Sequence, residues 1–166
     1  MFFQPRSVQQ VAALPFVCLD SAIEVLLVTS RRRKRWIVPK GWPQKRHSLA
    51  GCAALEAEEE AGVVGITRRV PVGSYSYVKR MPMGYDVRCE VFVYPLLVLE
   101  HRLAWQEQAQ RRLCWSGLDD AAEMVDDPKL GELLAKLAAA DGCVLREFFE
   151  TAGDGFAVGS TAPQPS

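Results

Sequence analysis

The sequence predicts an α/β (α+β) fold, an α/β/α sandwich whose mixed β-sheet lies between helices. Three observations carry this. β-branched apolar runs recur in both halves of the chain, one helix is bracketed by a strong start and stop, and a leucine-striped helix follows it. Strands and helices alternate irregularly and no internal repeat occurs, which suits a mixed sheet with helices packed on it.

In order, "VAALPFVCL" and "AIEVLLVTSR" read as two strands joined by a turn at Asp20-Ser21. "RWIVP" continues as a short strand, after which Pro39, Gly41 and Pro43 are expected to break regular pairing. Ser48 can cap a helix running to about Ala61, with Gly62 as its stop. "VPVGSYSYVKR" and "YDVRCEVFVYPLLVLE" form a hairpin around "MPMGY", and in the second strand Val87, Cys89, Val91 and Val93 share a face by period two. "RRLCW" is a short strand followed by a turn and a helix; "PKLGELLAKLAAA" is a further helix with Leu130, Leu133, Leu134 and Leu137 on one side. One domain is expected over residues 1–150, and a Gly/Ser/Pro/Ala-rich disordered tail over 151–166, chiefly from Gly153 onward.

At 166 residues the chain can build one domain with a real core. Twenty basic and twenty acidic residues give zero formal charge, so no global field recruits nucleic acid or an anionic membrane. Charge is instead local: "RRRKR" at 31–35 is basic and Glu56 to Glu60 is acidic. Five scattered cysteines without a CxxC pair argue against a disulfide framework or zinc site and for a reducing compartment. No apolar run approaches the roughly 18–20 residues of a membrane span. "MFFQPRSVQQ" lacks a charged segment leading into a hydrophobic one, so a cytoplasmic location is expected.

The acidic helix is the informative element. Each helical residue advances about 100°, so Glu56, Glu59 and Glu60 share one arc, where they repel one another with no cation on that face. A divalent cation would turn this repulsion into coordination, since hard ions take oxygen ligands and complete their shell with water and phosphates. The bland alternative is a solvated glutamate face. Ala50, Ala54, Ala57 and Ala61 on the neighbouring arc would let the helix sit close against a sheet. Glu58 points away and is expected to be solvated. Ahead of the helix, "PKGWP" breaks the chain, Gly41 permits a close approach to a ligand, and Lys40 and Lys45 bring cations. Basic loop and carboxylates together suit metal-assisted diphosphate chemistry.

The stretch from Val38 to Gly65 resembles a Nudix box, G-x5-E-x7-R-E-U-x-E-E-x-G-U with U a bulky aliphatic residue. Gly41, Glu56, Glu59, Glu60, Gly62 and Val63 match; His47 stands in place of the early glutamate and Leu55 in place of the arginine. "LLVTSRRRKRWIVPKGWP", "VGSYSYVK" and "CWSGLDDAAEMV" are similar to the diphosphoinositol polyphosphate phosphohydrolase branch, and the resemblance runs from about Val11 to Ala139. It implies one to three Mg²⁺ or Mn²⁺ ions held by Glu56, Glu59, Glu60 and a backbone carbonyl near Lys40 or Gly41, with metal-assisted attack of water on one phosphorus. The three glutamates are then the catalytic set. The general base is one of them, or Glu90 or Glu107 from elsewhere. In the family the arginine steadies the acidic residues; losses of this kind commonly cost 10–100-fold, roughly 1.4–2.8 kcal/mol, which predicts a weakened enzyme. His47 could serve a phosphate or a proton, or simply precede the helix cap in solvent.

On the substrate side, Arg31, Arg33 and Lys40 are the expected phosphate contacts, with Lys79 from "SYVKR" as a further candidate; the alternative for the 31–35 block is a turn kept soluble by charge. Trp42 or Tyr77 could stack on a base or simply pack. Three functions follow: a metal-dependent diphosphatase on a polyphosphorylated small molecule, a binding module that lost turnover with Leu55 and His47, or an RNA 5′-end pyrophosphohydrolase. Zero net charge and few stacking aromatics make nucleic acid the weakest of these partners.

Overall fold

The computed structural model describes residues 7–157. The elements run β1 (Ser7–Leu19), β2 (Ala22–Thr29), β3 (Trp36–Ile37), β4 (Lys40–Gly41), α1 (Leu49–Ala61), β5 (Val63–Thr67), β6 (Gly73–Arg80), β7 (Asp86–His101), a 3-10 turn (Gln108–Gln110), β8 (Leu113–Gly117), α2 (Leu118–Met124), α3 (Pro128–Ala139) and α4 (Cys143–Ala157). The sheet runs β3-β2-β1-β7-β5, with β4 on β1, β6 on β7 and β8 on β2. Pairing of β1 with β7 is parallel and the other pairings are antiparallel, so the sheet is mixed as expected.

Period-two patterning divides the core between the two faces. Val11 and Ala13 of β1, Leu26 and Val28 of β2, and Tyr94 and Leu96 of β7 pack with Ala50, Ala53, Ala57 and Ala61 of α1. The alternate residues Ala12, Leu14, Phe16, Val25, Leu27, Val91 and Val93 pack with Leu130, Leu134, Leu137, Leu145 and Phe148 of α3 and α4. The small stripe on α1 is realised with Ala53 buried and Ala54 only partly so. Asp20 and Ser21 both hold positive φ, at 44° and 69°, which suits the expected tight β1–β2 turn.

Two expectations need correction. Pro39 and Pro43 do not stop pairing: Lys40 and Gly41 lie between them with free backbone groups, opposite Ala12 and Val11, and the Pro39 carbonyl accepts from Ala13 N at 3.0 Å. Nor does the tail start at 151. α4 continues to Ala157, anchored by buried Phe148 and by Ala152 against the core, with Thr151 Oγ1 donating to the Glu147 carbonyl at 3.0 Å. The rest of the expected tail lies outside the described residues. Among the described residues, no helix is long and apolar enough to cross a membrane.

Candidate active site

α1 is held at both ends. Ser48 Oγ accepts from Gly51 N at 3.0 Å, the expected N-cap. Gly62 takes the left-handed conformation at φ 69° and donates to the Glu58 carbonyl at 3.0 Å. The segment between β7 and β8 then closes over the last turn. Arg102 N donates to the Gly62 carbonyl at 2.8 Å, Glu107 N to the Glu59 carbonyl at 3.0 Å, and the Trp105 indole to the Glu60 carbonyl at 3.2 Å. Carbonyls that a helix end leaves open are thereby satisfied by the segment that carries Glu107 and Arg111. A side chain at position 62 would collide with the Trp105 ring, so glycine there serves both cap and closure.

Glu56 and Glu60 of the shared arc lie within the influence of Glu107 and Arg111 on this segment. Glu56 lies against Gly41, where any Cβ would collide with its carboxylate, so glycine at 41 makes room for Glu56. Burial, and then the charge of Glu59, pushes the Glu56 carboxyl up to about 7. Glu60 is 4% exposed and also lies at about 7, raised by burial and opposed by Arg111. Its Oε1 accepts from Arg111 Nη2 at 3.0 Å, while its buried Oε2 has no partner. Such an orphaned acceptor in a desolvated place asks for a cation or a proton. Among the described residues, no three His, Cys, Asp or Glu side chains are drawn together tightly enough to grip an ion. The donor set is nevertheless all oxygen, which suits Mg²⁺ or Mn²⁺.

The predicted phosphate contacts separate into three groups. Lys40 stands opposite Ala12 on β1, its ammonium 5.3 Å above the Tyr77 ring; burial lowers its pKa while Glu60 opposes this. Lys79 lies 5.1 Å over Trp42, so each aromatic proposed for stacking is covered by a lysine. Arg31 reaches the site through Glu107, Nε to Oε1 at 3.7 Å. Arg33 is exposed on the β2–β3 turn, Arg35 pairs with Asp126 at 2.9 Å, and Lys34 donates to the Gln110 carbonyl at 2.9 Å. Glu58 is not simply solvated, because Arg102 holds it at 2.9 Å. His47 is exposed ahead of the helix, and Glu90 is exposed on β7.

The residue that sequence reasoning missed is Arg111. Its side chain is 7% exposed and bridges Glu60 and Glu107, at 3.0 and 3.2 Å. The signal was the i, i+4 spacing of Glu107 and Arg111 beside a helix short of cations. An open cleft of about 1100 Å³ lies elsewhere, between β6 and α3. None of the three glutamates lines it, and its Arg88, Lys129 and Lys136 are offset by Glu90 and Glu132. Without a focused charge of either sign it is a poor seat for a polyphosphate.

A family model described as "NUDIX domain" matches residues 9–137. The chain belongs to the Nudix family. Nudix hydrolase 12, mitochondrial, of Arabidopsis thaliana is 31% identical over 105 residues, which are 61% of this chain and 52% of that protein. Diphosphoinositol polyphosphate phosphohydrolase 3-beta of Bos taurus is 31% identical over 140 residues, 81% of each chain. A C. elegans Ap4A hydrolase binary complex superposes with a TM-score of 0.60 at 21% identity, covering 80% of this chain and 96% of that one, which shows a shared Nudix fold. The chain spans about half to two thirds, 52% to 64%, of the length of the first Arabidopsis relatives. Nudix hydrolases as a family generally use divalent metal ions, and the donors at α1 are of the matching kind.

Proposed function

We propose that this Nudix chain hydrolyses a diphosphate linkage in a phosphate-rich small molecule, of the diphosphoinositol polyphosphate or dinucleoside polyphosphate class. The observation that carries the reading is Glu60, a buried carboxylate with one oxygen tied to Arg111 and the other without a partner, one turn from Glu56 against Gly41. Glu56, Glu59, Glu60 and the Gly41 backbone are the residues we assign to Mg²⁺ or Mn²⁺. When bound, such an ion lowers the pKa of water and offsets charge developing on the phosphates.

The chain's own groups then have distinct roles. Lys40 and Arg31 hold the phosphates, with Lys79 and Arg33 as further contacts. Arg31 contributes a fork that matches phosphate oxygens, and Lys40 a point charge in a desolvated place, where it acts more strongly. One of the α1 carboxylates, or Glu107 beside them, receives the proton released by the attacking water. Glu90, exposed on β7, is the weaker candidate for this role. Leu55 lowers the rate relative to a full box. Five free cysteines suit the reducing cytoplasm, although relatives such as Nudix hydrolase 12 are mitochondrial by name.

A second reading is a diphosphate-binding module with little turnover. It is favoured by the absence, among the described residues, of three side chains already gathered for an ion. The deciding experiment is phosphate release from diadenosine penta- and hexaphosphate, a diphosphoinositol polyphosphate, nucleoside triphosphates and a 5′-triphosphate RNA, with Mg²⁺, Mn²⁺ or chelator. Metal-dependent turnover by wild type that vanishes in Glu59→Gln supports the hydrolase. Binding without turnover, even in Leu55→Arg, would leave the module.

A further inference from the structure

We propose that Arg111 is a positioning residue of this site, supplying from the β7–β8 segment the cation that α1 lacks at position 55. The inference rests on the reading of Glu56, Glu59 and Glu60 as metal-holding carboxylates. Helix α1 carries no lysine or arginine along its whole length, Leu49–Ala61. Leu55, where the box has its arginine, cannot pair with a carboxylate. The compensating charge arrives instead from a segment fifty residues later in the chain.

Its geometry is that of a fixed support. Nη2 reaches Oε1 of both Glu60 and Glu107, and Nη1 donates to the Thr29 carbonyl at 3.0 Å. The neighbouring backbone is tied to the same β2 residue, since Arg112 N donates to Thr29 Oγ1 at 2.9 Å and Thr29 N to the Arg112 carbonyl at 3.0 Å. A planar guanidinium with both ends engaged has little freedom left. It fixes one oxygen of Glu60 and thereby aims the other, the buried Oε2 that has no partner. The same fork draws Glu107 to the carboxylates of α1, and Glu107 in turn is 3.7 Å from Arg31.

Substrate contact is the competing role. Against it, the side chain is 7% exposed, its terminal nitrogens are already engaged, and its Nε is buried. Deleting the cation would also remove its repulsion of an incoming metal ion. The loss of geometry outweighs this, because Glu60 would become a buried carboxylate with no partner for either oxygen and would turn away or be neutralised.

The test measures Mn²⁺ affinity by the paramagnetic resonance of the free ion in wild type, Arg111→Gln, Arg111→Lys, Leu55→Arg/Arg111→Gln and Glu59→Gln. Steady-state kcat and KM and thermal unfolding in chelator accompany it. We expect Arg111→Gln to lose about 10–100-fold in Mn²⁺ affinity, as removal of a residue that orients a metal ligand does, with KM at saturating Mn²⁺ unchanged. Arg111→Lys keeps the charge without the fork and falls between, and Leu55→Arg restores part of the loss. Wild-type Mn²⁺ affinity in both Arg111 variants overturns the proposal. So does a raised KM with Mn²⁺ affinity intact, which would make Arg111 a phosphate ligand. Should Arg111→Gln fail to fold in chelator, Arg111→Lys carries the test with the same two overturning results. If wild type and Glu59→Gln bind Mn²⁺ alike, the metal reading of α1 has failed, and this proposal with it.

Discussion

The turn at 31–35 and the arginine at 111 are two ways of placing positive charge near the same carboxylates. The turn has five basic residues in succession, all exposed. Two of its charges are taken by Asp126 and by the Gln110 carbonyl, and one reaches Glu107 at 3.7 Å. Arg111, with 7% exposure, joins two carboxylates and a strand carbonyl. Exposed pairs are worth about 0–1 kcal/mol because water and salt screen them and flexible side chains lose entropy in forming them. Removing one partner of a buried pair leaves an uncompensated charge and costs about 3–5 kcal/mol. The conspicuous basic run is therefore the weaker structural feature, and the buried Arg111 is the stronger one.

The largest effect that would break this comparison is on stability. Arg111→Met should lower the free energy of unfolding by about 3–5 kcal/mol in chelator, while Arg33→Gln should stay within about 0.5 kcal/mol. Urea melts followed by circular dichroism read both; equal midpoints would mean that Arg111 is no more embedded than the turn. Next in size is Glu59→Gln. Removing one preorganised charge-stabilising group typically costs about 100–1000-fold in rate, and Mn²⁺-dependent phosphate release should fall by that order with the fold intact. A fall of less than about tenfold would move the essential carboxylates elsewhere in the cluster.

Legibility followed the range of the interaction. Ser48, Gly62 and the three aligned glutamates are local features, governed by helix geometry and capping, and each was readable within fifteen residues of sequence. The parallel pairing of β1 with β7 joins residues about eighty positions apart, and nothing in either strand names its partner. β4 was lost for a different reason: prolines on both sides read as breakers, while the two residues between them kept their hydrogen-bonding groups. α4 was overlooked because Gly153 and Gly155 lower the helical propensity of its end, although Leu145, Phe148, Phe149 and Ala152 follow the i, i+3, i+4, i+7 pattern. Arg111 was missed because its i, i+4 spacing from Glu107 is a weak signal on its own, and burial, not residue type, gives it its role.

A smaller effect comes from proton binding. Burial raises the carboxyls of Glu56 and Glu60 from 4.5 to about 7, so the folded chain keeps protons that the unfolded chain has released. Their stabilising contribution is present in full below about 4.5 and is lost as pH rises through about 7. Metal-free protein should therefore have a lower urea midpoint at pH 8 than at pH 6. Saturating Mn²⁺ should narrow the difference, because an ion takes over the compensation that the protons provide at low pH. Identical midpoints in chelator at the two pH values would show that the pair is already charged and compensated without metal, leaving Glu60 Oε2 with a partner still to be found.

The smallest effect separates Arg31 from Arg33. Both lie on the same exposed turn, and if the turn acted only as diffuse positive charge the two alanine variants would raise KM for a polyphosphate equally. Arg31 differs in being 3.7 Å from Glu107, which Arg111 anchors; its side chain is 63% exposed, so the contact directs the guanidinium without burying it. Arg31→Ala should raise KM about two- to fivefold, within the roughly 1 kcal/mol available to an exposed charge, and Arg33→Ala less. Raising salt from 0.05 to 0.5 M should shrink both effects, since the screening length falls from more than about 10 Å to less than 8 Å. A difference that survives high salt would mean that Arg31 meets the substrate within the desolvated part of the site. Indistinguishable variants would mean that the Glu107 contact directs nothing, and that Arg111 alone connects the cationic side of this site to its carboxylates.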